Sequence, residues 1–313
     1  MTAFLPTLKQ LQYLTALHIH GHFGRAAEAC FVTQSTLSAG LAELESLLGV
    51  RLVERNRRVV RFTPMGERVV AKAYGVLREA DELAGLTVGG DKPLAGPLRL
   101  GVIPTIAPYL LPRVAGAIRA GYPDLKLYLR EEMSGPAAEA LGRGMLDAVL
   151  LALPWDTHGL ALMPLFDDGF HLVFRPGDLP DPPPSVAPAA IDPHHLLLLE
   201  DGHCLKDQSL SACGRPELRA DAANRGTSLV TLVQMVAGGL GQTLVPQMAL
   251  DAGIIAGTGL IARPLQGGAA RTIALAWRAG SPREAEFRLL GDAIVAGLAL
   301  PQPPAMLPAP IGE

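Results

Sequence analysis

The sequence predicts two regions of different fold class: an N-terminal all-α winged helix-turn-helix that runs into a long amphipathic helix, then a C-terminal α/β region. Three observations carry this. Leucines recur at three- and four-residue steps through the first 48 residues, a short basic hairpin follows, and beyond the Gly/Pro-rich segment GGDKPLAGP (89–97) apolar strands alternate with helical stretches. A length of 313 residues, 49% hydrophobic and 18% charged, fits two or three units with sizeable cores. The start MTAFLPTLKQLQ has no basic stretch leading into an apolar block, and no apolar run is long enough to span a bilayer, so a cytoplasmic protein without membrane partners is expected.

The elements follow in order. TLKQLQYLTALH (7–18) sets Leu8, Leu11, Leu14 and Leu17 on one side of a helix, with Thr7 as its cap. After an HGHFG turn, RAAEACF from Arg25 reads as a short Ala-rich helix, with Cys30 as core filler. The next helix starts near Gln34 and carries Leu37, Leu41, Leu44 and Leu48 to a stop at Gly49. RLVE and RVVRFT flank a polar RNR turn as a hairpin, the wing. The net charge is -3, yet between Arg51 and Lys72 seven basic residues face two acidic ones. Next to a helix-turn-helix, that imbalance reads as a footprint for a phosphate backbone; alone it would read as a solvated charged hairpin. Gln34, Ser35, Thr36 and Ser38 stand exposed at the N-terminal end of the second helix, where base edges are met, and Arg55, Arg57 and Arg58 of the wing serve the backbone. From Pro64 to about residue 88, Val69, Val70, Ala73, Val76, Leu77, Ala80, Leu83 and Ala84 make an apolar side with no partner in the small unit, suited to pairing with a second copy.

Beyond the linker the expected order is strand LRLGVIP, helix YLLPRVAGAIRAGYP, strand LKLYLREE, helix GPAAEALGRGML and strand DAVLLAL. A strand FHLVFRPGD, a Pro-rich loop, the run HHLLLLE, a helix turning through glycines into a strand (SLVTLVQMVAGGLGQTLVP), a strand ARTIALAWRAG and a closing helix complete it. A tail, 301–313, is expected to be disordered.

Two of the three cysteines, Cys204 and Cys213, lie nine residues apart in LEDGHCLKDQSLSACG. Three readings stand: buried filler, a metal site with His194, His195 and His203, or a peroxidatic thiol with its resolving partner. Spacing disfavours the metal. His203 and Lys206 beside Cys204 are cations of the kind that favour a thiolate. Were the segment helical, the two Cα atoms would be about 13 Å apart on opposite faces, and a disulfide, which needs them within about 7 Å, would require refolding. Were it a loop, closure would change less.

The N-terminal string LQYLTALHIHGHFGRAAEACFVTQSTLSAGLAELESLLGVRLVERNRRVVRFTPMG resembles the winged helix-turn-helix of LysR-type transcriptional regulators, and the likeness continues over nearly the whole chain. GVIPTIAPYLLP and LEDGHCLKDQ with a second cysteine nine positions on resemble the family's peroxide-sensing OxyR class. Ser35 replaces a proline common in the family, the basic residues often found along the recognition helix are missing from SAGLAELES, and Ser134 stands where threonine is more frequent.

The resemblance implies a periplasmic-binding-protein-like regulatory region of two subdomains, 98–165 with 269–300 and 166–268, after a DNA-binding domain (1–63), a dimerisation helix (64–88) and a hinge (89–97). It implies a peroxide pocket of Thr105, Ser134, His203, Asp207 and Arg271 around Cys204, with Cys213 resolving. It further implies a homodimer assembling to a tetramer, double-stranded DNA, hydrogen peroxide and RNA polymerase as partners, a thiol reductant for reset, no cofactor and no metal, and no enzymatic turnover. A regulator of the same family answering to a small metabolite between the subdomains, its cysteines passive, is the alternative; a thiol peroxidase is the reading from another class.

Overall fold

The structure is a computed structural model that describes residues 5–55, 60–88, 92–179, 181–214 and 225–299. It divides into two compact units, residues 1–92 with 142–145 and residues 93–141 with 146–313. Residues 89–91 of the expected hinge, and the whole tail, lie outside the described residues.

In the first unit, α1 (Leu8–His20) starts at Thr7 through a reciprocal cap: the Thr7 hydroxyl accepts from the Gln10 amide at 3.2 Å, and the Gln10 side chain accepts from the Thr7 amide at 3.0 Å. Leu11, Leu14 and Leu17 are buried, whereas Leu8 faces solvent. The second helix, α2 (Phe23–Ala29), begins two residues earlier than its alanine pattern suggests, because His22 Nδ1 accepts from the Gly24 amide and caps the first turn. Cys30 caps the other end, half-buried and packed against the unit's core. α3 (Gln34–Leu48) buries Leu37, Leu41 and Leu44, each worth about 2 kcal/mol by the area removed from water. Gly40 lets α3 approach α1, since a Cβ there would sit 2.7 Å from the Tyr13 ring. The wing is the antiparallel pair β1 (Val53–Arg55) and β2 (Val60–Phe62). α4 (Pro64–Val88) then runs for 25 residues. Val70 and Ala73 are buried against the unit's core, but Val76 and Leu83 are exposed.

The second unit is built on a nine-stranded sheet whose path is β4-β3-β5-β11-β6-β9-β7-β8, with β10 beside β6. β3 (Gly96–Val102), β4 (Leu125–Glu131) and β5 (Ala148–Leu153) are parallel, joined by α5 (Ala107–Gly121) and α6 (Ser134–Gly142). β6 (Leu160–Phe174) is 15 residues long and antiparallel to its neighbours. The apolar pattern predicts a start near Phe170; the strand begins ten residues earlier, at Leu160. Its first part pairs with β11 (Ala270–Arg278), its last part with β9 (Gln242–Pro246) and β10 (Ile261–Pro264). β7 (Leu196–Leu199) lies between β9 and the short β8 (Arg225–Gly226). α7 (Cys204–Ala212), α8 (Leu229–Ala237), α9 (Gln247–Asp251) and α10 (Glu284–Ala299) are the remaining α-helices among the described residues. β5 is buried on both faces and reads as a continuous apolar run, whereas β3 alternates at first, with Pro97 and Arg99 exposed and Leu98 and Leu100 buried, before its buried end at Gly101 and Val102.

Candidate functional site

The carboxyl ends of the parallel strands place the groups that matter. Thr105 follows β3 and is 3% exposed; Ser134 opens α6, after β4, and is 2% exposed. Chain ends of this kind, outside the strands of an open α/β sheet, are where ligands bind. Arg271, near the start of β11, is 1% exposed and reaches the Thr105 loop: Nη1 donates to Thr105 Oγ1 at 2.8 Å and Nη2 to the Thr105 carbonyl at 2.9 Å.

Cys204 is the first residue of α7, buried and unbridged. Burial pushes its thiol above the ordinary value. Four groups act the other way: the Ser134 hydroxyl beside the sulfur, the Arg271 cation within electrostatic range, and the backbone amides of Cys204 and Ala152. The Ser134 hydroxyl is buried with no hydrogen-bond partner among the described residues. The cations expected from sequence neighbourhood do not supply this field. Lys206 is paired with Asp201, which also accepts from Arg225 Nη1 at 2.7 Å. His203, the half-buried cap residue of α7, is shifted toward its neutral form by burial, against the opposing pull of Glu200 and a backbone contact at Thr227.

Cys213 stands at the opposite end of α7 as its cap residue, also buried. The segment is therefore helical throughout, and the rise of a helix puts the two Cα atoms about 13 Å apart. Gly202 (φ 100°) and Gly214 (φ 68°) flank it in left-handed conformations. Asp207 is exposed on α7, outside the group around Cys204.

Two buried polar residues escaped the sequence reading. Gln208, one turn after Cys204, donates from Nε2 to the Ala152 carbonyl at 3.0 Å, and its Oε1 has no partner among the described residues. Asp168 on β6 binds Arg271 Nε at 3.0 Å. The i,i+4 step from Cys204 marks Gln208 as sharing its face; nothing local marks Asp168.

In the first unit Gln34, Ser35, Thr36 and Ser38 are all exposed. Thr33 caps α3, its hydroxyl accepting from the Thr36 amide at 3.2 Å and bonding the hydroxyls of Ser35 (2.9 Å) and Thr36 (2.8 Å). Arg55 ends β1, and Arg57 and Arg58 lie outside the described residues. A mostly apolar groove of about 770 Å³ runs along α4 between Leu5, Leu11, Leu48, Met65, Val69 and Val76. Among the described residues no group of three or more His, Cys, Asp or Glu side chains is placed to hold a metal, and no helix is long and apolar enough to cross a membrane.

A helix-turn-helix whose second helix exposes its N-terminal polar residues, a wing, and on the same chain an α/β domain with a buried cluster of polar groups define a regulator of transcription with its own sensing domain. The chain belongs to the LysR family: residues 8–67 match its bacterial regulatory helix-turn-helix and residues 91–299 its substrate binding domain. It is 42% identical over 294 residues to the HTH-type transcriptional regulator EstR of Acinetobacter baylyi, covering 93% of this chain and 96% of that protein. To the DNA-binding transcriptional dual regulator OxyR of Escherichia coli K12 it is 39% identical over 293 residues, 92% and 94% of the two chains. Among solved structures, a full-length OxyR variant from Pseudomonas aeruginosa superposes with a TM-score of 0.78 at 38% identity, covering 93% and 95%. A hydrogen-peroxide-bound OxyR mutant from Corynebacterium glutamicum gives 0.64 at 34% identity, 95% and 94%.

Proposed function

We propose that the protein is a peroxide-responsive transcription regulator of the OxyR class, in which Cys204 is the sensing thiol and Cys213 the resolving one. The observation that carries this reading is the setting of Cys204: a buried sulfur with the unpartnered Ser134 hydroxyl beside it and the Arg271 charge in range, at one end of a helix that ends on the second cysteine. Passive filler needs none of these polar neighbours.

The chemistry follows from the groups. The Cys204 thiolate attacks one peroxide oxygen, the O–O bond breaks, and the sulfur is left as sulfenic acid while hydroxide departs and takes up the thiol's proton as water. Thr105 and Ser134 hydroxyls, with the unpartnered Gln208 Oε1, are hydrogen-bonding groups for the two oxygens, and Arg271 offsets the charge on the departing one. His203 borders the pocket as a neutral ring. Asp207, at the surface, acts on α7 rather than on peroxide. Cys213 then displaces the hydroxyl of the sulfenic acid as water, forming the disulfide. Two electrons pass from the thiols to peroxide, and a thiol reductant must return them, so the protein is a switch rather than an enzyme. Since α7 separates the sulfurs, the bond forms only with loss of the helix.

Gln34, Ser35, Thr36 and Ser38 face the bases of double-stranded DNA, with Arg55, Arg57 and Arg58 on its backbone. Residues 64–88 join two copies along the apolar groove of α4, dimers pair to a tetramer, and the oxidised shape alters recruitment of RNA polymerase in the cytoplasm. The domain limits are those read from the sequence, with 98–165 plus 269–300 and 166–268 as the two regulatory subdomains.

The test is a count of thiols after one equivalent of hydrogen peroxide. Loss of two of three, with an internal Cys204–Cys213 link in the digested peptides, is expected. In Cys213→Ser the link is absent and Cys204 stops as the sulfenic acid. Full retention of thiols defeats the reading.

A further inference from the structure

The sequence places two aspartates side by side, Asp167 and Asp168, in the middle of β6. Strand alternation sends them to opposite faces. Asp167 is exposed and accepts a hydrogen bond from the Thr272 hydroxyl at 2.7 Å. Asp168 is 2% exposed and is the register partner of Arg271 across the β6–β11 pair. Its Oδ2 accepts from Arg271 Nε at 3.0 Å and lies 3.0 Å from Nη2; its Oδ1 accepts from the Met248 amide at 2.8 Å.

These contacts form a chain in which each group fixes the next. The Met248 amide stops the carboxylate from rotating. The carboxylate holds the Nε and Nη2 edge of a planar guanidinium. What is left of that fork meets Thr105 at both its hydroxyl and its carbonyl. An arginine side chain samples many rotamers when nothing holds it, and its donors form a rigid fork, so fixing one edge aims the other. Thr105 alone offers no countercharge, and a fully buried cation requires one.

We propose that Asp168 is a positioning residue for the peroxide reaction: it holds Arg271 in the one orientation that brings its cation to the Thr105 loop and the Cys204 sulfur. The inference rests on the reading of Arg271 and Cys204 given above. A carboxylate serving stability alone would leave the chemistry at Cys204 indifferent to it once the protein is folded. A positioning group has a different signature, because it affects only the step in which charge develops on the departing oxygen. Cleavage of the O–O bond in hydrogen peroxide leaves a hydroxide for Arg271 to stabilise, whereas alkylation of the same thiolate by iodoacetamide expels iodide, which needs no such help. A displacement of about 1 Å in an aligned group is worth about 100-fold in rate.

The experiment compares the two reactions at Cys204 in the full chain, followed by mass of the peptide that contains it. In Asp168→Asn one amide face meets a donor instead of an acceptor, so the anchor is lost with little change in volume. The expected result is a peroxide rate constant at least tenfold below the parent, with alkylation at alkaline pH within twofold. Asp167→Asn, on the solvent face of the same strand, keeps both rates. In an Arg271→Gln background, Asp168→Asn has no further effect on the peroxide rate, since the group it positions is gone; this neutral pair also serves if Asp168→Asn alone does not fold. Asp168→Glu, which keeps the charge on a longer stem, recovers part of the rate. Equal loss of both reactions, a peroxide rate within twofold of the parent, or an undiminished effect in the Arg271→Gln background each overturns the inference. A parent chain that itself reacts with peroxide no faster than a free cysteine would remove the underlying sensor reading, and this inference with it.

Discussion

At the scale of single residues, Cys204 is governed by two opposed effects of similar origin. Taking the sulfur out of water raises its pKa, and the Ser134 hydroxyl, the Arg271 cation and two amides bring it back only in part. The thiol is therefore mostly protonated at neutral pH, and the reactive fraction grows as pH rises. Its rate with peroxide should climb about tenfold per pH unit from pH 6 to 8 without levelling off, as measured by stopped mixing and thiol labelling; a plateau beginning below pH 7 would contradict the direction of the shift. Arg271→Gln removes one of the opposing groups, so the same curve should move to still higher pH and its height should fall. Neighbours in sequence were a poor guide to this field. Lys206 is two positions away and is bound to Asp201; Arg271 is 67 positions away and is in range.

At the scale of elements, α7 is the part that must change. It is a single nine-residue helix with the two cysteines at its ends, hydrogen-bonded to β5 through Gln208 and bounded by left-handed glycines that give the chain room to redirect. Amide exchange over residues 205–213 should accelerate at least tenfold on oxidation, while β3 and β5 hold their protection; unchanged exchange would mean that the helix survives the disulfide. The helical state of this segment was only one of two conditionals in the sequence, because CLKDQSLSAC has a weak apolar stripe. The buried parallel strands and the leucine-spaced helices α1 and α3 were plain from their patterns. The early part of β6 was not, since ALMPLFDDG mixes a proline, a glycine and two acids within a strand whose partner, β11, lies about a hundred residues on. Asp168 was illegible for the same reason: its meaning comes from register with Arg271, which no local pattern encodes.

At the scale of the whole molecule, α4 leaves apolar surface that its own unit does not cover. Val76 is 48% and Leu83 68% exposed, an arrangement that costs solubility unless a second copy supplies the cover. Val76→Asp should weaken self-association at least a hundredfold, seen as a shift to monomer in sedimentation, and should abolish tight binding to a two-half-site DNA without altering the Cys204 peroxide reaction. A dimer that persists in this variant would place the joint elsewhere.

The depth of Cys204 has one more consequence. Cys204 is 3% exposed, so an oxidant must enter the protein to meet the sulfur. Small uncharged oxidants should therefore react faster than bulky organic hydroperoxides or disulfides as large as oxidised glutathione, a selectivity by size that acts before any chemical preference.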